Sequence, residues 1–185
     1  MSRRVVIVGA GAAGTLQALH LARAGAAPVL VERGERPARG VAYGTTRPEH
    51  LLNVPARRMS ALADDPGHFG RWFAERAGGT DEDYAPRMLY GDYLGELLDE
   101  SGVPVVRGEA VDVADGAVML ADGQRLAADA VVLAPGNFPP ALRVSRNSTQ
   151  PALQRLHALR REHAERVKLF FGNHEDRSMP QLLGG

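Results

Sequence analysis

The 185-residue chain contains no cysteine. That excludes disulfides, a redox-active dithiol and thiolate metal sites, so any redox chemistry falls to a bound cofactor. Charge of one sign is also lacking. The 22 Lys and Arg residues balance 22 Asp and Glu, which leaves no general attraction to nucleic acid or to an anionic membrane surface. No apolar run approaches the ~20 residues that span a bilayer. Met1-Ser2-Arg3-Arg4 opens like a signal peptide, but the apolar run behind it stops at glycines and continues as a helical pattern, so a cytoplasmic protein is expected. Gly-x-Ser-x-Gly, P-loop and His-Glu-x-x-His motifs are missing as well, and with them the common signatures of hydrolase, NTPase and zinc-protease chemistry. The histidines are scattered, and no residue is marked out as a general acid or base.

What is present starts at the fifth residue. Val5-Val6-Ile7-Val8 reads as a strand buried on both faces, the kind found in parallel sheets. Gly9-Ala10-Gly11-Ala12-Ala13-Gly14 follows, and Ala12 to Arg23 is rich in helix formers. In this strand–turn–helix, Gly9 permits the sharp turn and Gly11 lets a pyrophosphate reach the backbone. Gly14 lets the helix pack closely on its strand. The free N–H groups at the helix start would face the phosphates, worth roughly 0.3–2 kcal/mol for an anion there. A second strand, Pro28 to Val31, ends on Glu32, 18 residues after Gly14, where a carboxylate would accept both hydroxyls of an adenosine ribose. An acid at this position favours FAD or NAD over NADP, an exclusion that Arg33 and Arg36 soften.

From Gly34 to about Asp65 the chain is rich in Gly, Pro and Arg, and a loop of this length inside a compact domain is usually functional. It follows the second strand, so it could fold back over the nucleotide. Arg39 and Arg58 are candidates to neutralise phosphate and Asn53 to bond a ring edge, against the alternative of a solvated arginine-rich loop. Asp65-Pro66 reads as a helix start, with Asp as N-cap and Pro in the first turn. Phe69, Trp72 and Phe73 give that helix one apolar face, and a surface or capping role for His68 outweighs a catalytic one. A second helix through Tyr90, Tyr93, Leu94, Leu97 and Leu98 ends at Gly102. Four short strands follow, at Pro104–Arg107, Ala110–Val113, Ala117–Leu120 and Gln124–Ala127, and Asp115-Gly116 and Asp122-Gly123 mark hairpins. The four are expected to form a β-meander rather than another βαβ unit. Ala130 to Ala134 is again a buried strand, and placing it beside the first would bring Gly136 to the ligand-binding edge of the sheet.

This order resembles the two-dinucleotide-binding-domain flavoproteins, and the intervening words sharpen the likeness. Arg39-Gly40-Val41-Ala42-Tyr43-Gly44, His50 to Ala56, Arg58-Met59-Ser60, Asp65-Pro66, His68-Phe69, Arg71-Trp72, Pro86-Arg87 and Leu89-Tyr90-Gly91-Asp92-Tyr93-Leu94 are similar to the pattern of an FAD/NAD(P)-binding family that includes many bacterial oxidoreductases. The resemblance runs from about Arg3 to Pro139. It implies an α/β, Rossmann-like FAD-binding domain over residues 1–140, with a parallel sheet and an antiparallel meander insertion. It implies FAD held by the Gly9–Gly14 turn (Gly9, Ala10, Gly11, Ala12, Ala13 and Gly14), by Glu32 and Arg33, by the Val111 backbone at the adenine, and by Gly136. Pro135 stands where the pattern has Thr, so a backbone N–H is missing there. NAD(P)H as electron donor, an unidentified small-molecule substrate and a monooxygenase-like reaction belong to the same implication.

Residues 141–185 depart from this pattern as a divergent tail, with a charged helix expected at Pro151–Arg166 and a strand at Val167–Phe171, that does not read as a return to the sheet. Relatives of this kind continue into further segments, so the chain is expected to be truncated, and a non-catalytic nucleotide-binding remnant is the alternative function. Gly172-Asn173-His174-Glu175 resembles a metallophosphoesterase motif, but the companion Asp-x-His ligands that a two-metal site needs are missing. The tail either docks onto the domain or hangs free, and in the second case exposed Phe170 and Phe171 would promote association.

Overall fold

The computed structural model describes residues 2–136 and the backbone of residues 167–169. Strand β1 (Arg4–Val8), helix α1 (Ala12–Arg23) and strand β2 (Ala27–Glu32) form the first βαβ unit. β1 and β2 run parallel in the register Val5↔Pro28 to Val8↔Val31. The β-branched run of β1 alternates between two cores. Val5 and Ile7 face the helices, and Val6 faces the opposite side, as the two-residue period of a strand requires.

After β2 come the short helix α2 (Gly40–Tyr43), a 3₁₀ turn at Ala56–Arg58, and helices α3 (His68–Ala77) and α4 (Arg87–Ser101). Strand β3 (Val105–Arg107) then pairs parallel with β2, Glu32 opposite Arg107. This corrects the meander expected of all four short strands. The first of them closes a second crossover, because α4 ends at Gly102 with its backbone in the left-handed region and delivers the chain to the open edge of β2. Only β4 (Ala110–Ala114), β5 (Ala117–Leu120) and β6 (Arg125–Ala127) form the antiparallel sheet. The β4–β5 hairpin turns on Asp115 and Gly116, both at positive φ (48° and 69°), as a two-residue primed turn demands.

Strand β7 (Ala130–Leu133) returns to pair parallel with β1, and β8 (Val167–Leu169) pairs parallel with β7, giving the order β3-β2-β1-β7-β8. The return of β8 to the sheet corrects the expectation that nothing after Pro140 does so. The strand supplies the edge with a partner that its short Val-Lys-Leu sequence did not advertise. The proposed helix at Pro151–Arg166, Phe170-Phe171 and the Gly172–Glu175 motif lie outside the described residues.

Helices α1, α3 and α4 cover one face of the parallel sheet through Ala18, Leu21, Phe69, Phe73, Tyr93 and Leu94. The small sheet covers the other through Val118 and Leu120 against Val6, Val31, Val131 and Leu133. Helix α3 begins at His68, two residues later than Pro66 would place it. The Ser60 hydroxyl donates to the Asp65 carbonyl at 2.6 Å, and the His68 N–H donates to the same carbonyl at 3.1 Å, so Asp65–Gly67 is a turn that leads into the helix. The His68 ring shares a 2.9 Å hydrogen bond with the Tyr93 hydroxyl, a packing role within an aromatic group of Phe69, Trp72, Tyr90 and Tyr93. Among the described residues no helix is long and apolar enough to cross a membrane.

Burial raises the Tyr43, Tyr90 and Tyr93 phenols above their ordinary value of 10.0. Their folded pKa values exceed the unfolded ones, so the stabilisation is complete below pH 10 and is lost as pH rises beyond it. An alkaline titration should therefore show most phenolate absorbance appearing together with the loss of helical circular dichroism. Smooth ionisation of all four tyrosines in a still-folded protein would contradict this packing.

Candidate functional site

Gly9 leaves β1 with φ +98°, and its N–H donates to the Val31 carbonyl at 2.8 Å. A Cβ on Gly9 would stand 2.2 Å from the Ala134 carbonyl oxygen, and one on Gly14 would stand 1.9 Å from the Gly9 carbonyl oxygen. No side chain fits at either position, so α1 sits against the end of β1 and the end of β7 lies on the turn. Gly11 differs. It is the N-cap of α1 at φ −69° and ψ −175°, a conformation open to any residue, and its Cβ would meet only the Gly40 backbone at 3.5 Å. Helix α1 has no side-chain cap and no acid in its first turn. Its leading N–H groups and the positive end of its dipole are thus left for an anion.

Glu32, at the tip of β2, is turned onto this loop. Its Oε2 accepts the Ala10 N–H at 2.8 Å and its Oε1 accepts the Gly34 N–H at 2.7 Å. A carboxylate has roughly four lone-pair sites, so each oxygen retains one for a further donor while the head group stays fixed. Arg33 lies 3.7 Å from Glu109, and Arg107, beside Glu32 in register, lies 3.5 Å from Glu35. Arg33 and Arg107 near the β2 tip are thus matched by acids on the same edge, while Arg36 is exposed in the loop beyond it.

The loop after β2 does come back to the glycine turn, but only through residues 38–40. The Ala38 N–H donates to the Ala10 carbonyl at 2.6 Å, and Gly40 packs on Gly11. Arg39, a candidate phosphate ligand, forms an ion pair with Asp92 of α4. Arg58 and Asn53 are exposed. Residues 50–57 lie along residues 81–87, with Leu52, Ala56 and Arg57 N–H groups donating to Ala85, Asp83 and Asp81 carbonyls. His50 and Arg87 are tied into that ribbon, the Arg87 N–H donating to the His50 carbonyl at 2.8 Å. Val111 occupies the register shift between Ala110 and Asp112 in β4 and is 54% exposed. Gly136 follows β7 at φ +70°. Ala38 is the residue that sequence reasoning missed. It is fully buried at φ +69°, and a non-glycine residue in the left-handed region has no sequence signature.

A model of the FAD-NAD(P)-binding family matches residues 6–138. This chain belongs to that family. The FAD-NAD(P)-binding domain is similar in fold to FqzB, with a TM-score of 0.54 and 18% identity over 75% of this chain and 37% of that one. It is also similar to the tetrameric form of 2-methyl-3-hydroxypyridine-5-carboxylic acid oxygenase, with a TM-score of 0.50 and 21% identity over 71% of this chain and 38% of the other. A third likeness is to OTEMO solved in complex with FAD and NADP, with a TM-score of 0.51 and 17% identity over 77% and 28% of the two chains. At these identities the likeness is one of fold. The chain spans less than two-fifths of the length of each of the three.

The two inner glycines separate packing from ligand approach. Gly14→Ala should destabilise the ligand-free domain by about 1–3 kcal/mol, as overpacking does. Gly11→Ala should cost no more than about 1 kcal/mol through a weaker cap, yet weaken nucleotide binding if the turn takes the pyrophosphate, because the methyl group would crowd the gap between Gly11 and Gly40. Urea unfolding of both variants, with FAD titrations alongside, checks the split.

Proposed function

We propose that this chain is the FAD-binding part of a flavin-dependent oxidoreductase that draws electrons from NAD(P)H. The observation that carries the reading is the pairing of an uncapped α1 N-terminus with a Glu32 carboxylate already oriented by two backbone N–H groups. In this reading the α1 N–H groups hold the pyrophosphate, and Gly11 admits it to the backbone. Glu32 takes the ribose hydroxyls with its remaining lone pairs, which favours a nucleotide without a 2′-phosphate. The bulge at Val111 presents backbone to the adenine, and Gly136 borders the site from β7. Ala12 and Ala13 contribute backbone N–H groups, Ala10 orients Glu32 through its own N–H, and all three keep the turn free of bulk, while Arg33 marks the outer edge of the ribose site. Bound FAD would supply hydride and single-electron chemistry, and the chain contributes position and electrostatics. The family membership supports the dinucleotide. The oxygenase and the FAD- and NADP-bound OTEMO among the similar structures support a monooxygenase-type use of it on a small organic substrate.

The purified protein, as isolated or after FAD addition and desalting, should retain a flavin spectrum that NADH or NADPH bleaches under anaerobic conditions. Retention without reduction would restrict the chain to nucleotide binding, and failure to retain FAD would overturn the flavin reading. Glu32→Gln should raise the FAD dissociation constant about tenfold or more, since hydrogen bonds to charged groups are worth about 1.5–3 kcal/mol.

A further inference from the structure

Arg39 and Asp92 are 53 residues apart in sequence, yet they form a part-buried ion pair, with side chains 16% and 35% exposed. The surroundings allow little slack. A Cβ on Gly91, next to Asp92, would lie 2.8 Å from the Tyr43 carbonyl oxygen and 3.1 Å from Arg39 Cγ, so α2 and α4 touch backbone to backbone beside the pair. Tyr43 and Tyr90, from the same two helices, pack on each other with ring centroids 4.8 Å apart. Arg39 lies between the two residues that reach the nucleotide turn. Ala38, fully buried at φ +69°, donates its N–H to the Ala10 carbonyl, and Gly40, at φ +56°, packs on Gly11. A left-handed alanine is strained and persists where its surroundings over-determine it.

We infer that Asp92 is a positioning residue for the nucleotide turn: by fixing Arg39 it holds Ala38 and Gly40 on Ala10 and Gly11, so that α4 helps set the shape of the phosphate-binding loop. Arg39 then acts through the turn rather than as a phosphate ligand. The inference rests on reading the Gly9–Gly14 turn as the nucleotide site.

The test compares wild type, Asp92→Asn and Asp92→Glu by amide hydrogen exchange without ligand and by FAD titration. Asp92→Asn should speed exchange of the Ala38 amide while β1 amides keep their protection, and should raise the FAD dissociation constant about tenfold. Asp92→Glu, which keeps the charge, should recover part of both losses. Unchanged Ala38 exchange overturns the inference, as does unchanged FAD affinity beside faster exchange. Tighter FAD binding by Asp92→Asn also overturns it, since Asp92 would then be competing with phosphate for Arg39. If wild type binds no FAD, the flavin reading fails by itself and the Ala38 exchange decides whether Asp92 holds the turn. If Asp92→Asn does not fold, Arg39→Lys is judged by the same two readouts.

Discussion

The approach of α1 to β1 is the constraint on which this domain depends. With no Cβ at Gly14, the helix settles against the Gly9 carbonyl, and with none at Gly9 the end of β7 closes on the turn from the other side. Both contacts are backbone to backbone, so no side-chain rearrangement can relieve a substitution there. Their consequence is geometric. The start of α1 is brought to the C-terminal edge of β1, flanked by Glu32 on β2 and by the chain leaving β7. The crevice of a parallel sheet at this edge is where α/β folds bind ligands, and here it is bordered by backbone donors and one oriented carboxylate.

Around that contact the parallel sheet divides labour between its faces. Val5 and Ile7 belong to the helical core, while Val6 belongs to the core under the small antiparallel sheet. The helical side carries the aromatic group centred on Phe69 and Tyr93. Arg39, Tyr43, Gly91 and Asp92 meet one another, and the segment around His50 to Ala56 lies along Asp81 to Arg87. These contacts are packing, and those of Arg39 adjoin the loop that touches the glycine turn. Arg39, a residue type suited to phosphate, is paired here with Asp92.

The short strands show how local and distant information differ. The sequence around Pro104–Arg107 and that around Ala110–Leu120 carry the same β signal, and the Asp115-Gly116 turn is local chemistry that specifies its own hairpin. Which sheet Val105–Arg107 joins is set instead by the open edge of β2 and by the point where α4 releases the chain. The same holds for Val167–Leu169 beside β7. A three-residue strand contains too little pattern to name its partner.

The sequence by itself determined the first βαβ unit, the glycine turn with Glu32 beyond it, the two principal helices and the hairpins, because each rests on local spacing and on backbone requirements of single residues. Only the tertiary structure decided that β3 leaves the meander and that α3 starts after a Ser60-braced turn. It also decided that Arg39 faces Asp92 across 53 residues and that an alanine, not a glycine, takes up the left-handed backbone at position 38. The reason is common to all of these. Such choices depend on which surfaces the helices and strands leave open once packed, and no window of sequence contains both partners of a contact that folding alone brings together.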